Sequence, residues 1–194
     1  MTDLDIAVVL GSTRPNRNGK AVADWVMEQT AGRSAARYSL VDLIDYPLPH
    51  LDEPIPPSAG RYVGEHTKAW ADTIASYDGF VFVTPEYNHS TSGVLKNAID
   101  YLYAEWNNKA AGFVSYGSVS GARAVEHLRA VMSEVQVAHV RQSVGFSLAH
   151  DFENYSTFTP GPAAAGQIAT MFDQLESWTA ALKGVRGDRL LRAA

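Results

Sequence analysis

Apolar residues in this chain come in two patterns that alternate: short continuous runs and longer helical stripes. Leu4 to Leu10 (LDIAVVL), Gly79 to Thr84 (GFVFVT) and Ala110 to Tyr116 (AAGFVSY) are nearly unbroken apolar runs bounded by turn-forming residues. Strands buried on both faces read this way. Residues 36–43 (ARYSLVDL) and Gln136 to Val144 alternate well enough for two further strands. Between the runs, apolar side chains recur at the 3.6-residue period of helices packed on one face. These stripes are Ala21, Val22, Trp25 and Val26; Trp70, Ile74 and Tyr77 within His66 to Tyr77; and Val94, Leu95, Ala98, Ile99 and Leu102. Two more follow: Val125, Leu128, Val131 and Met132; and, from about Ala163 to Leu182, Ile168, Met171, Phe172, Leu175, Trp178 and Leu182.

Strands that alternate with helices pair in parallel, because each crossover is right-handed and packs back onto the sheet. The expectation is a doubly wound α/β domain: a five-stranded parallel sheet, order 2-1-3-4-5, with helices on both faces. Ile44 to Gly64, with Pro47, Pro49, Pro54, Pro56 and Pro57, and Phe146 to Pro162 are expected as long loops. Residues 1–184 form one domain in this reading, and residues 185–194 a frayed C-terminal tail.

In that strand order the switch point lies between strands 1 and 3, and ligands of open α/β sheets sit there, outside the carboxyl ends of the strands. The two loops it brings together are GSTRPNRNGK (residues 11–20) and PEYNHSTSG (residues 85–93), the most polar on the chain. The first suits a phosphate. Ser12 and Thr13 offer hydroxyls, Arg14 and Arg17 forked donors, and Asn18 with Gly19 starts a helix whose free N–H groups face an anion. Neither G-x-G-x-x-G nor a P-loop fits these residues. The second loop offers Tyr87 as a stacking surface and Asn88 as a hydrogen-bonding group, while Glu86 is placed to cap the helix or bind a partner subunit. A third loop, Ser115-Tyr116-Gly117-Ser118-Val119-Ser120-Gly121, follows strand 4, and its glycines permit close backbone approach.

Composition narrows the chemistry. The 194 residues, 46% of them hydrophobic, suffice for one sizeable core. Without cysteine there is no thiolate nucleophile, no disulfide and no Cys-ligated metal, so redox chemistry would need a bound cofactor. A formal charge of −5 and no basic block speak against nucleic acid. Apolar runs are far short of a membrane span, and a cytoplasmic protein is expected. His50, His66, His89, His127, His139 and His150 show no paired ligand spacing, so no metal site is expected. Trp106, just past the third helix, is expected at the surface, suited to a dimer interface or a nicotinamide.

The segments GSTRPNRNGK, DYPLPHLDEP, TPEYNHSTSGVLKNAIDYL and VSYGSVSGARAVEHLR resemble the NADPH-dependent FMN reductase family, over roughly residues 4–184. The resemblance implies a flavodoxin-like fold and FMN as cofactor. Ser12, Arg14, Arg17 and Asn18 would hold the FMN phosphate. Pro85, Glu86, Tyr87 and Asn88 would line the isoalloxazine, with Ser115, Tyr116, Gly117 and Ser118 closing its other side. NADPH or NADH would donate hydride, and a quinone, free flavin, chromate or azo compound would accept the electrons. No side chain is then needed as a catalytic acid, base or nucleophile. Backbone N–H groups of residues 85–88 would stabilise charge on the reduced flavin. A homodimer or homotetramer is also implied. Ser118 and Ala122 depart from the family, standing where its third loop often has glycine. Two other readings of the same pocket stay open: a flavodoxin-like electron carrier that does not oxidise NADPH, and a non-redox protein for another phosphorylated ligand.

Overall fold

The computed structural model describes residues 4–192. Five parallel strands, β1 (Leu4–Leu10), β2 (Ala36–Asp42), β3 (Gly79–Pro85), β4 (Lys109–Gly117) and β5 (Val137–Ser147), form one sheet in the order β2-β1-β3-β4-β5. The alternation along β1 shows how the sheet is buried. Ile6, Val8 and Leu10 face α1 (Gly19–Glu28) and α5 (Ala164–Arg192), and join Val22, Val26, Ile168, Phe172 and Leu175. Ala7 and Val9 face the other side and join Trp70 and Ile74 of α2 (Glu65–Ala75), Leu95 and Ile99 of α3 (Gly93–Asp100) and Leu128 and Met132 of α4 (Ala122–Glu134). Both faces are dry, which is why the strand runs carry almost no polar residues.

Four expectations are corrected. The 146–162 segment is not all loop: β6 (Phe152–Glu153) and β7 (Thr157–Phe158) form an antiparallel hairpin. Asn154 and Tyr155 turn it with φ of 50° and 58°, and Phe152 and Phe158 pin it into an aromatic cluster with Trp25 and Phe146. Two short strand segments left no periodicity to read. Trp106 is fully buried, its ring against Trp70, Phe80 and Phe82 and its Nε1–H on Ile99 O at 3.1 Å. Trp178 is instead 47% exposed. The buried stripe of α5 runs Ile168, Met171, Phe172, Leu175 and Thr179, and residue 178 lies beside it.

The fourth correction concerns the chain's last segment. α5 continues to Arg192, so the boundary expected after residue 184 falls inside a helix. Lys183 Nζ meets Asp78 Oδ2 at 2.7 Å, and Arg186 donates to Asp78 Oδ1 and to Asn108 O. These bonds tie the helix to the sheet's amino edge. Residues 193–194 lie outside the described residues.

At that edge Lys109 is 4% exposed and donates to Ile74 O at 2.7 Å. Burial, then the charge of Arg186, lowers its ammonium from 10.5 to about 7, against the pull of Asp78 and Glu105. Below pH 7 both folded and unfolded chains hold the proton, and the cost of burying the charge is fully present. Between there and the ordinary lysine range the unfolded chain binds more protons, so stability rises with pH. Lys109→Met should flatten that rise, read as denaturation midpoints of the two proteins at pH 7 and pH 10.

Candidate functional site

Parallel pairing puts the carboxyl ends of β1, β3 and β4 side by side, and the three polar loops with them. The strand ends are locked first. Gly11 N–H donates to Val83 O at 2.8 Å, and a Cβ on Gly11 would meet Leu95 Cδ2 at 2.8 Å and Val83 O at 3.0 Å, so a side chain here would crowd β3 and α3. Ser92 caps α3, accepting from Leu95 N–H at 3.3 Å while its own hydroxyl donates to Gly11 O.

In the first loop, Ser12 is buried, and its Oγ lies 3.1 Å from Tyr87 Oη of the second loop. Arg14 is exposed. Arg17 is mostly buried and donates through Nη2 to Asp42 at the end of β2, leaving its buried Nε without a partner. Asn18 donates to Tyr155 O at 2.8 Å, which ties the loop to the β6–β7 hairpin. Asp42 was missed by sequence reasoning. Its signal was topological: β2 neighbours β1, with Asp42 paired to Leu10, so an acid there faces the loop's arginines.

The second loop closes as a tight turn. Tyr87 and Ser90 exchange backbone hydrogen bonds at 2.9 and 3.1 Å, and Asn88 and His89 between them have φ of 48° and 69°. This is a type I′ arrangement, with Asn tolerating the left-handed region. Pro85 is buried, and Tyr87 and Asn88 are exposed. Of the N–H groups expected to face a ligand, Glu86 N–H is taken by Tyr116 O at 2.9 Å and Tyr87 N–H by Ser90 O, which leaves that of Asn88.

The Glu86 side chain is 5% exposed and turned away from solvent. It caps a helix, and that helix is α4: Oε2 accepts from Arg123 N–H at 3.1 Å and Oε1 from Arg123 Nε at 2.7 Å. Arg123 also reaches His89 Nε2. Arg123 too was missed, although a cation in the first turn of a helix opposes the helix dipole and so signals an acidic partner elsewhere.

The third loop is shaped by Gly117 and Gly121. Gly121 has φ of 72°, and a Cβ on it would lie 2.5 Å from Ser115 Cβ. Ser115 Oγ donates to Ser120 O at 2.7 Å, and Ser118 is exposed. The Tyr116 side chain leaves this loop altogether. It is 5% exposed and runs beneath the sheet edge to the start of α1, where a Cβ on Gly19 would fall 2.5 Å from its hydroxyl. Tyr116 Oη is buried with no hydrogen-bond partner. Burial, then neighbouring Tyr87, pushes this phenol well above its usual range, against Ser12, Arg14 and the Gly19 amide. It is therefore a neutral donor at physiological pH.

Beside Thr13 a cavity of about 250 Å³ opens between the proline-rich loop and α3, walled by Leu43, Ile44, Tyr46, Val94 and Ala98. That loop is pinned: Asn97 donates to Pro49 O at 2.7 Å and accepts from Leu51 N–H at 3.1 Å, and Tyr101 donates to Asp52 Oδ1 at 2.9 Å.

The sequence profile of NADPH-dependent FMN reductases matches residues 4–151, which hold all three loops. The chain belongs to that family. An NAD(P)H-dependent FMN reductase of Schizosaccharomyces pombe is 46% identical over 128 residues, covering 65% of this chain and 64% of its own length. A 2-hydroxy-1,4-benzoquinone reductase of a Burkholderia species is 32% identical over 148 residues, 72% of this chain and 75% of that protein. Among solved structures, a flavoenzyme NAD(P)H:acceptor oxidoreductase from Paracoccus denitrificans superimposes with a TM-score of 0.70 at 22% identity, over 92% of this chain and 98% of that one. That likeness places this FMN reductase family member in the flavodoxin-like fold. Among the described residues no helix is long and apolar enough to cross a membrane.

Proposed function

We propose that this protein is an FMN-dependent NAD(P)H oxidoreductase that delivers electrons to a small-molecule acceptor. The observation that carries the reading is the convergence of three loops on a site rich in unpaired donors. Arg17 Nε and Tyr116 Oη are buried without acceptors beside the N-terminus of α1, which fits a phosphate monoester. Ser12, Arg14, Arg17 and Asn18 would hold that end. The turn at Pro85, Glu86, Tyr87 and Asn88 and the loop at Ser115, Tyr116, Gly117 and Ser118 would flank the isoalloxazine. Glu86 and Tyr116 would contribute there through the backbone, since their side chains point elsewhere.

Bound FMN supplies the redox chemistry, accepting a hydride from nicotinamide and releasing electrons to the acceptor. The protein's part is to hold and orient. Tyr87 offers an exposed ring, braced through its hydroxyl by Ser12. Asn88 N–H takes no part in the paired hydrogen bonds of its turn and is able to stabilise negative charge on the reduced ring. Glu86 and Arg123 clasp the two ring-side loops together and keep them at fixed separation. The walls of the cavity beside Thr13 are mostly apolar, which favours a quinone over free flavin, chromate or an azo compound.

A homodimer or homotetramer is part of this reading, supported by Tyr87, Val94 and Val119, all exposed around the site. So is a cytoplasmic location, consistent with a chain free of cysteine. Absorption spectra under anaerobic conditions test the function. Added FMN should acquire a protein-bound spectrum, NADPH should bleach it within seconds, and a quinone should restore it. A bound flavin that NADPH leaves oxidised would instead mark an electron carrier. Light scattering tests the assembly, and a mass of one chain would end that part.

A further inference from the structure

A proline-rich segment cannot fold on its own hydrogen bonds. Pro47 and Pro49 have no N–H to give, so the backbone groups around them take partners from other elements. Residues 43–48 form one wall of the cavity beside Thr13, and the chain is fastened at both ends of that wall. At its start Asp42 Oδ1 accepts from Ile44 N–H at 3.2 Å. Beyond its end one side chain makes two bonds: Asn97 of α3 donates through Nδ2 to Pro49 O at 2.7 Å and accepts through Oδ1 from Leu51 N–H at 3.1 Å. An amide can do both, whereas an ionised carboxylate or an alkyl group of the same size cannot. Tyr101 adds a third bond, to Pro49 O at 3.1 Å.

The opposite wall is one face of α3, where Val94, Asn97 and Ala98 stand together at helical spacing. The space between the walls touches both loops that would hold the flavin's two ends. Thr13 belongs to the first, and Val94 follows closely on Ser92 of the second, whose hydroxyl donates to Gly11 O. The cavity, about 250 Å³, is smaller than the roughly 300 Å³ at which pockets for drug-sized ligands begin. It has room for a ring or two and not for a whole flavin.

We propose that this cavity seats a one- or two-ring quinone, and that Asn97 is the positioning residue that keeps it open. This rests on the flavin reading above. Without the Asn97 bonds, residues 43–48 keep their anchor at Asp42 but only the Tyr101 bond beyond their end. Ile44 and Val94 are both exposed on the two walls, and burying apolar surface draws such walls together when nothing holds them apart. Asn97 thereby sets the width of the seat from outside the flavin's own contacts.

The test uses the FMN-loaded protein with 2-methyl-1,4-naphthoquinone and with ferricyanide, an acceptor that needs no seat. Asn97→Leu removes both bonds and should raise KM for the quinone by about tenfold, the scale of one or two hydrogen bonds, with KM for ferricyanide unchanged. Asn97→Asp still accepts from Leu51 N–H and should fall between Asn97→Leu and the wild type. Val94→Phe fills the cavity from the helix side, leaves the loop's bonds alone, and should raise the quinone KM in the same selective way. Equilibrium dialysis of the quinone against the oxidised protein should show matching losses of affinity. A rise for both acceptors marks general damage and would overturn the assignment, as would an unchanged quinone KM in Asn97→Leu or in Val94→Phe. If the wild type binds no FMN, the flavin reading itself fails, and dialysis of the quinone against the flavin-free chain decides. Binding that Val94→Phe abolishes would then keep the seat, and no binding, or equal binding by both proteins, would end it.

Discussion

Replacing Trp106 by alanine is expected to lower the stability of this protein by about 3–5 kcal/mol, the usual cost of deleting a large buried aromatic. The indole is fully enclosed, between Trp70 and the two phenylalanines of β3, and it sits where the chain returns from α3 to β4. Truncation would open a cavity on the α2–α3–α4 face and also remove the donor from Ile99 O. For a chain of this size the melting temperature should fall by about 10 °C. Trp106→Phe should recover much of the packing and none of the hydrogen bond, and so land between the two. Thermal denaturation of the three proteins checks the order. A change within about 0.5 kcal/mol, as for ordinary surface substitutions, would return Trp106 to the surface.

The second large effect belongs to Gly121. Its φ of 72° costs most other residues roughly 1–2 kcal/mol. A Cβ would also lie 2.9 Å from the Tyr116 amide nitrogen as well as against Ser115. Those are atoms of β4, and they cannot step aside without moving the strand. Gly121→Ala should therefore cost about 2–4 kcal/mol, combining backbone strain with overpacking. It should also weaken flavin binding, because the third loop hangs from this residue. Gly166 in α5 is the contrast: nothing lies within 4 Å of its would-be Cβ, and alanine there should stabilise by up to about 1 kcal/mol through helix propensity. Denaturant midpoints for both variants, with FMN titrations for Gly121→Ala, separate the two kinds of glycine.

Much of the architecture was written in the chain's periodicity. Runs such as Gly79 to Thr84 read as strands covered on both sides, and three of them with two alternating segments, interleaved with helices, leave few topologies. The same logic brought Ser12 next to Tyr87, 75 residues apart in sequence. Burial of individual side chains was less legible. Trp106 follows its helix, so no stripe assigns it a face, and its position depends on how the α3–β4 connection folds back. Trp178 fails for the opposite reason: a helix face drawn three residues at a time drifts by a fraction of a turn, and one member falls outside. In the site itself, residue type was readable and direction was not. Glu86 and Tyr116 lie in the expected loops, yet Glu86 turns to α4 and Tyr116 to α1. Those orientations follow from Arg123 and Gly19, partners distant in sequence whose meeting is a property of the assembled sheet.

The Asp78 cluster has a practical side. Its backbone N–H donates to Asp5 O at 2.7 Å and its carboxylate accepts from Arg186, so β1 near its beginning and α5 near its end meet at one residue. That residue lies at the sheet's amino edge, with the length of the strands between it and the three loops. A fluorophore, an electrode tether or a fused enzyme attached at this edge would hang from the end of the sheet opposite the three loops and leave the proposed flavin site clear.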